Sequence, residues 1–291
     1  MKHILVRELV QLCERNRDGA FATQAARKDV LIQTGKQLLE GGFRNLGAQG
    51  LKPKHVQYLV KRWKAEGLAD ATIKNRMTHL RWWAEKISKA SVIPRTNGAL
   101  GIERRQYVTN KSKAVELTSG DLEKIQDARL RCSIELQRAF GLRREEALKI
   151  QPGYAMAAGP DKIQLKASWC KGGREREVPI RTDYQREVLA RAAALAGTGS
   201  MIPKEMSYKQ RLKQYENATA RAGMSKLHGL RHEYAQARYE ELTGWASPAK
   251  GGPTSKNLTP EQKAVDLTAR LQISRELGHN REAITAVYLG R

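Results

Sequence analysis

One stretch of this chain alternates, and nearly everything else runs at helical spacing. In DKIQLKASWCKGGREREVPI, Ile163, Leu165, Ala167 and Trp169 alternate with Gln164, Lys166 and Ser168. Lys171-Gly172-Gly173 then turns the chain, and Val178-Pro179-Ile180 closes a second alternating run. Period two in two short runs joined by glycines predicts a β-hairpin or part of a small sheet. The expected fold is mostly α with a small β-hairpin or sheet.

The first hundred residues read as helices only. ILVRELVQLCERN places Ile4, Leu5, Leu9, Val10 and Leu12 at roughly helical spacing. AARKDVLIQTGKQLLEGG stops at Gly41-Gly42, KPKHVQYLVKRWKAEG starts near Pro53 and ends at Gly67, and DATIKNRMTHLRWWAEKISKA has Asp70 as a candidate N-cap. Four helices of this length predict a small all-α bundle. Residues 92–115 lose the periodicity at Pro94, Gly98 and Gly101 and carry Arg104, Arg105, Lys111 and Lys113. A basic interdomain linker is expected there, narrowed to 109–115, between a helical domain at 1–108 and a second domain at 116–291. In the second domain, helices are expected on both sides of Gly141, at about 182–197, 207–222 and 228–243, near 260–276 and at 281–289. WASPAKGGPTSKNLTPEQK reads as an exposed loop, and the excess length around 244–258 is free to pack elsewhere or meet a partner.

Charge narrows the class of partner. The 291 residues hold 53 Lys and Arg against 30 Asp and Glu, a net of +23. Residues 1–110 hold 21 basic and 9 acidic side chains, a net of +12, which leaves +11 for the remainder. Both parts are basic, so a polyanion gripped by both, most simply DNA or RNA, is expected. Cys13, Cys132 and Cys170 are far apart with no C-x-x-C spacing, so reduced thiols are expected rather than a disulfide framework or zinc site. No signal-peptide block and no membrane-length apolar run is present. The expected place is the cytoplasm, beside the chromosome in the nucleoid, with no membrane partner.

The last part of the chain carries the candidate chemistry. His228 and Arg231 form an H-x-x-R pair in LHGLRHEYA; Leu277-Gly278-His279 follows, and Tyr288 stands nine residues after His279. Taken singly, each has an ordinary structural reading: a surface arginine, a helix-capping histidine, a packed terminal tyrosine. Their joint order and spacing give them meaning.

Four segments together resemble the tyrosine recombinase (phage integrase) family. GLRREEALKI, residues 141–150, resembles the family's first-arginine box and implies Arg143 as a catalytic arginine, with Glu146 as structural support. KGGREREVPI resembles the hairpin of the catalytic lysine and implies Lys171. HGLRHEYA implies His228 and Arg231, and LGHNREAITAVY implies His279 and Tyr288. The resemblance covers residues 117–291. The N-terminal helices are similar in kind to the family's core-binding, SAM-like domain, and the second domain to its mixed α/β catalytic domain.

By that resemblance the chain is a DNA recombinase acting at a specific attachment site on double-stranded DNA. Two guanidinium forks, Arg143 and Arg231, hold the oxygens of a scissile phosphate. Tyr288 attacks and leaves a 3′-phosphotyrosine, Lys171 protonates the departing 5′ oxygen, His228 accepts a proton, and His279 bonds a phosphate oxygen. No cofactor and no metal is expected. The resemblance further implies a clamp on DNA, a homotetramer that exchanges strands, a role in integrating or excising a prophage or mobile element, and room for an accessory directionality factor. Many members dock a helix beyond the tyrosine on a neighbouring protomer; with three residues after Tyr288, the assembly contact is expected from another segment or to be weaker. An additional N-terminal arm-binding domain is not expected. Two rivals stay open at the level of sequence: a type IB topoisomerase, and a non-catalytic site-specific DNA-binding protein on the same fold.

DNA-contacting side chains are expected at Lys74, Arg76 and Arg81 on one helix, and at Arg174 and Arg176 as a shared phosphate contact on one hairpin face. One or both of Trp82 and Trp83 are expected in the bundle core, and His232 as a packing residue.

Overall fold

The computed structural model describes residues 4–104, 106–279 and 281–291. Arg105, counted in the basic linker above, and Asn280, within the last box, lie outside the described residues. The chain is mostly helical with one small two-stranded antiparallel sheet. It divides into two compact units, Met1–Gln106 and Tyr107–Arg291.

The first unit holds α1 (Ile4–Arg15), α2 (Phe21–Glu40), α3 (Pro53–Ala65) and α4 (Asp70–Lys86). Each turns an apolar stripe inward: Leu5 and Leu9, Leu31 and Leu38, Leu59 and Trp63, then Ile73, Met77 and Leu80 make one core. Both tryptophans of α4 are buried, and each satisfies its indole N–H. Trp83 Nε1 donates to the Ala48 carbonyl at 3.0 Å and Trp82 Nε1 to Asp18 at 2.8 Å. Asp70 is the first helical residue of α4, with Ala69 in the cap position, so it places a carboxylate in the first turn, where it accepts the Glu103 N–H at 3.2 Å.

The second unit holds α5 (Ser119–Glu123), α6 (Ala128–Phe140), α7 (Arg144–Lys149), α8 (Pro152–Met156), β1 (Lys162–Leu165), β2 (Arg176–Pro179), α9 (Asp183–Ala196), α10 (Tyr208–Arg221), α11 (Gly229–Thr243), α12 (Pro260–Glu276) and α13 (Glu282–Leu289). Polar caps start several of them: Thr118, Thr182, Ser207 and Thr259 each accept a backbone N–H from three residues on. In the hairpin, Ile163 pairs with Val178 and Leu165 with Arg176. Alternation extends only to Leu165, because Ala167–Trp169 coil into a 3-10 turn that buries Trp169. Phe140, Ile163, Val178, Val188, Tyr239, Ile273 and Leu289 share the main core.

Two segments are held by contacts within the second unit. Within 109–115, the expected linker, the chain is fastened to the second unit. Asn110 exchanges hydrogen bonds with the Arg291 backbone (2.8 and 2.9 Å), and Ser112 donates to Gln236 at 3.0 Å. The loop after α11 is not simply exposed: Ser247, Pro248 and Ala249 are buried. Small residues let backbone approach backbone there. A Cβ on Gly290 would stand 2.9 Å from the Ala249 nitrogen, and one on Gly252 would strike the Ala246 carbonyl. This loop therefore seats the end of α13. Among the described residues no helix is long and apolar enough to cross a membrane.

Candidate active site

The site is assembled at helix ends. Gly141 caps α6 in the left-handed conformation (φ +59°), and a Cβ there would meet the Tyr234 ring at 2.6 Å. The chain then turns so that Arg143 precedes α7 and Glu146 lies in its first turn. The Arg143 N–H donates to Glu146 Oε2 at 2.7 Å and its Nη1 to Oε1 at 2.7 Å. Glu146 has no exposed surface. Its two oxygens also accept from Arg176 Nη1 at 2.9 Å and Nη2 at 2.6 Å, and Arg231 Nη1 stands 4.0 Å away. Three guanidinium groups around one carboxylate leave two positive charges uncompensated.

Arg231, on the first turns of α11, is almost wholly buried. It donates Nη1 to the Gly141 carbonyl at 2.5 Å, Nη2 to the Leu277 carbonyl, and Nε to the Tyr288 hydroxyl at 3.2 Å. The Leu277 carbonyl also accepts from Arg143 Nη2 at 3.4 Å. The turn Leu277-Gly278-His279 thus serves both arginines. Gly278 is required at its centre: φ is +69°, and a Cβ would sit 3.0 Å from Arg176 Cδ. Gly278→Ala is expected to cost about 1–2 kcal/mol from the left-handed backbone alone. The cost reads out as a lower denaturation midpoint; an unchanged midpoint would mean that the turn relaxes freely.

Tyr288 sits on α13, buried, with its carbonyl accepting from Gln236 at 3.0 Å. Three imidazoles surround its ring, with centroids at 4.7 Å for His232, 6.1 Å for His279 and 6.2 Å for His228. Burial, reinforced by neighbouring positive charge, holds His232 and His279 down to about 4 and pushes His228 below its ordinary value. At neutral pH all three are uncharged and able to accept a proton. His279 Nε2 lies 3.4 Å from Arg143 Nη2. A guanidinium only donates, so that nitrogen carries the lone pair.

Burial raises the Glu146 carboxyl, but the Arg176 hydrogen bonds and the charges of Arg176, Arg231 and Arg143 outweigh it and hold it at about 2. A carboxylate with a lowered folded value stabilises the protein above its unfolded value and loses that contribution as pH falls. Glu146→Gln is therefore expected to lower stability by about 3–5 kcal/mol at pH 7, the cost of breaking a buried ionic cluster. The gap to wild type should narrow as pH drops from about 4.5 toward about 2. Denaturant titrations at several pH values measure it; a gap independent of pH would contradict the ionic account.

The structure brings Arg143, Glu146, His228, Arg231, His279 and Tyr288 together. Lys171 lies on the turn 171–173, exposed, with no hydrogen bond or ion pair among the described residues. Arg174 is exposed as well. Arg176 corrects its sequence reading: it is buried and engaged with Glu146, so it does not share a phosphate-facing surface with Arg174. The signal was its place two residues before Val178, which puts both side chains on the buried face of β2. Arg76 and Arg81 are half-buried rather than splayed outward. Arg76 lies over the Trp63 ring at 5.1 Å, and Arg81 Nη2 donates to the Pro94 carbonyl and to Asn97. Lys74 borders a recess with Thr96, Asn97 and Arg104. Sequence reasoning placed His232 as a packing residue and gave no role to Gln236; the structure sets both against Tyr288.

Residues 105–237 match the family model described as integrase, and residues 1–91 match the one described as phage integrase, N-terminal. His279 and Tyr288 lie beyond the matched span, so their assignment rests on spacing and geometry. Among solved structures the chain is similar to the XerH site-specific recombinase bound to difH substrate. The TM-score is 0.56 and the identity 16%, over 97% of this chain and 80% of that one. It is also similar to a lambda integrase dimer bound to a COC' core site (TM-score 0.57, 16% identity, 96% and 76% covered). A third is the Tn1549 transposon integrase in complex with circular intermediate DNA (TM-score 0.56, 13% identity, 98% and 95% covered). No curated protein matched. At these identities the likeness is one of fold.

Proposed function

The chain belongs to the tyrosine recombinase (phage integrase) family, and from that premise we propose that it cuts and rejoins duplex DNA at a specific site through a phosphotyrosine on Tyr288, integrating or excising a mobile element. The observation that carries this reading is the unbalanced arginine cluster with a tyrosine hydroxyl 3.2 Å from Arg231 Nε. Such a cluster is a ready receptor for one anionic group, and the hydroxyl lies where that group would be attacked.

In this reading Arg143 and Arg231 hold the non-bridging oxygens of the scissile phosphate. Arg231 gives up its contacts to Leu277 and Tyr288 as the phosphate enters. Tyr288 Oη forms the bond to phosphorus, its proton passes to a neutral imidazole, with His228 in that role, and the bond from phosphorus to the 5′ oxygen breaks. Lys171, exposed on its two-glycine turn, protonates the departing oxygen. His279 steadies Arg143 through the Nε2 lone pair, and a shift of its ring proton to Nε2 then lets it donate to a phosphate oxygen. The tyrosyl ester conserves the bond energy, so a second 5′ hydroxyl reverses the step without ATP. Lys74 and Arg174 are the candidate backbone contacts in the two units. A homotetramer on two sites and an accessory directionality factor complete the proposal.

The test is product formation. Plasmids carrying the ends of the mobile element should yield recombinant joints, while a supercoiled plasmid lacking them stays supercoiled. Relaxation of the plasmid without sites, with no joints, would favour a type IB topoisomerase. Tight, site-specific binding with neither product would favour a non-catalytic DNA-binding protein.

A further inference from the structure

Arg176 reaches three chain segments at once. Its guanidinium clamps both oxygens of Glu146, its Nε donates to the Glu276 carbonyl at 2.8 Å, and its Nη1 donates to Cys170 Sγ at 3.2 Å. Its Cδ packs where only a glycine at 278 leaves room. Cys170 is the residue before Lys171. The turn beyond it is otherwise loose: Gly172 and Gly173 both take positive φ, and a Cβ on either would meet nothing within 4 Å. Within the turn, Gly173 N–H donates to the Cys170 carbonyl at 3.1 Å, so Cys170 is its base. The one side-chain tie from that base to the arginine cluster, among the described residues, is the Arg176–Cys170 contact.

We propose that Arg176 is a positioning residue for strand cleavage, fixing the Lys171 turn through Cys170 against Glu146 and the Glu276–Gly278 segment so that Lys171 meets the departing 5′ oxygen. This rests on Lys171 as the proton donor. The physical reason is that a flexible lysine on a two-glycine turn delivers a proton efficiently only if the base of the turn is held. An arginine presents several donors in one rigid fork and is able to hold three segments together. A lysine at 176 keeps the charge but cannot bond Glu146 bidentately while also reaching Cys170 and the Glu276 carbonyl.

The test uses single-turnover cleavage by the full chain on two substrates: an ordinary site, and one whose bridging 5′ oxygen at the scissile phosphate is sulfur. With oxygen, Tyr288 Oη bonds to phosphorus, the P–O bond breaks, and the alkoxide takes a proton from Lys171. With sulfur, the P–S bond breaks and a thiolate leaves unprotonated, because thiols are far stronger acids than alcohols. Lys171→Ala should lose on the order of 100-fold or more on oxygen and recover most of that on sulfur. Arg176→Lys should lose about 10- to 100-fold on oxygen, the scale of a misplaced group, with the same recovery on sulfur. Cys170→Ala, which leaves the Arg176–Glu146 pair intact and so is insulated from loss of fold, should show a smaller defect with the same recovery. Equal impairment of Arg176→Lys on both substrates, with Lys171→Ala rescued, would overturn the positioning role and leave the lysine reading standing. Wild-type cleavage by Cys170→Ala on oxygen would overturn the link through the turn. Failure of sulfur to rescue Lys171→Ala would overturn the lysine assignment itself, and the proposal with it.

Discussion

Arg231→Ala is expected to slow strand cleavage about 10³-fold or more, while DNA binding weakens only slightly. Removing a single preorganised donor from a developing oxyanion typically costs 10²- to 10³-fold, and Arg231 supplies two charged donors besides the one on the Tyr288 hydroxyl. Binding to a duplex is spread over many phosphate contacts, so the loss of one buried charge changes it little. The alanine variant also leaves the Gly141 and Leu277 carbonyls without their arginine donor, so part of any defect belongs to stability. Arg231→Lys separates the two effects: it keeps a positive charge but offers no fork to satisfy Gly141, Leu277 and a phosphate together. Pre-steady-state cleavage, with binding measured apart and folding followed by denaturation, is the measurement. A variant that folds and still cleaves within tenfold of wild type would remove Arg231 from the phosphate site.

Much of this was legible in the sequence, for a physical reason. Helices such as α9, α10 and α12 are written locally, as apolar spacing between Ser or Thr caps and glycine stops, and local signals survive without knowledge of the fold. Arg143, His228, Arg231, His279 and Tyr288 sit at fixed offsets inside short boxes, so the resemblance of those boxes to the family brought them forward. Arg176 was misread because its partner, Glu146, is thirty residues away. Alternation places a strand residue on one face or the other, and only the fold says that this face carries a buried carboxylate. The loop around 248 read as exposed, with packing elsewhere left open, for a related reason: Pro, Gly and Ala serve a solvated loop and a tight backbone contact equally well. Nothing local distinguishes them before Gly290 arrives against Ala249.

In the proposed reading Arg143 combines support and chemistry in one residue. Its backbone and side chain both bond Glu146, so the carboxylate aims the guanidinium rather than neutralising the site. A buried glutamate shared by Arg143, Arg176 and Arg231 makes the cluster affordable in the interior while leaving it net positive.

One measurement decides whether Tyr288 is the group that attacks DNA. The 291-residue protein and its Tyr288→Phe variant are incubated with a nicked duplex spanning a mobile-element end and separated on a denaturing gel. The nick lets the short cleaved fragment diffuse away, so any covalent intermediate accumulates. Phenylalanine removes the hydroxyl that lies 3.2 Å from Arg231 Nε, preserves the ring packed against His232 and should not disturb the fold. Wild type should form a protein–DNA adduct, and the variant should bind the same duplex with similar affinity and form none. An adduct that persists in Tyr288→Phe would place the nucleophile elsewhere and contradict the account.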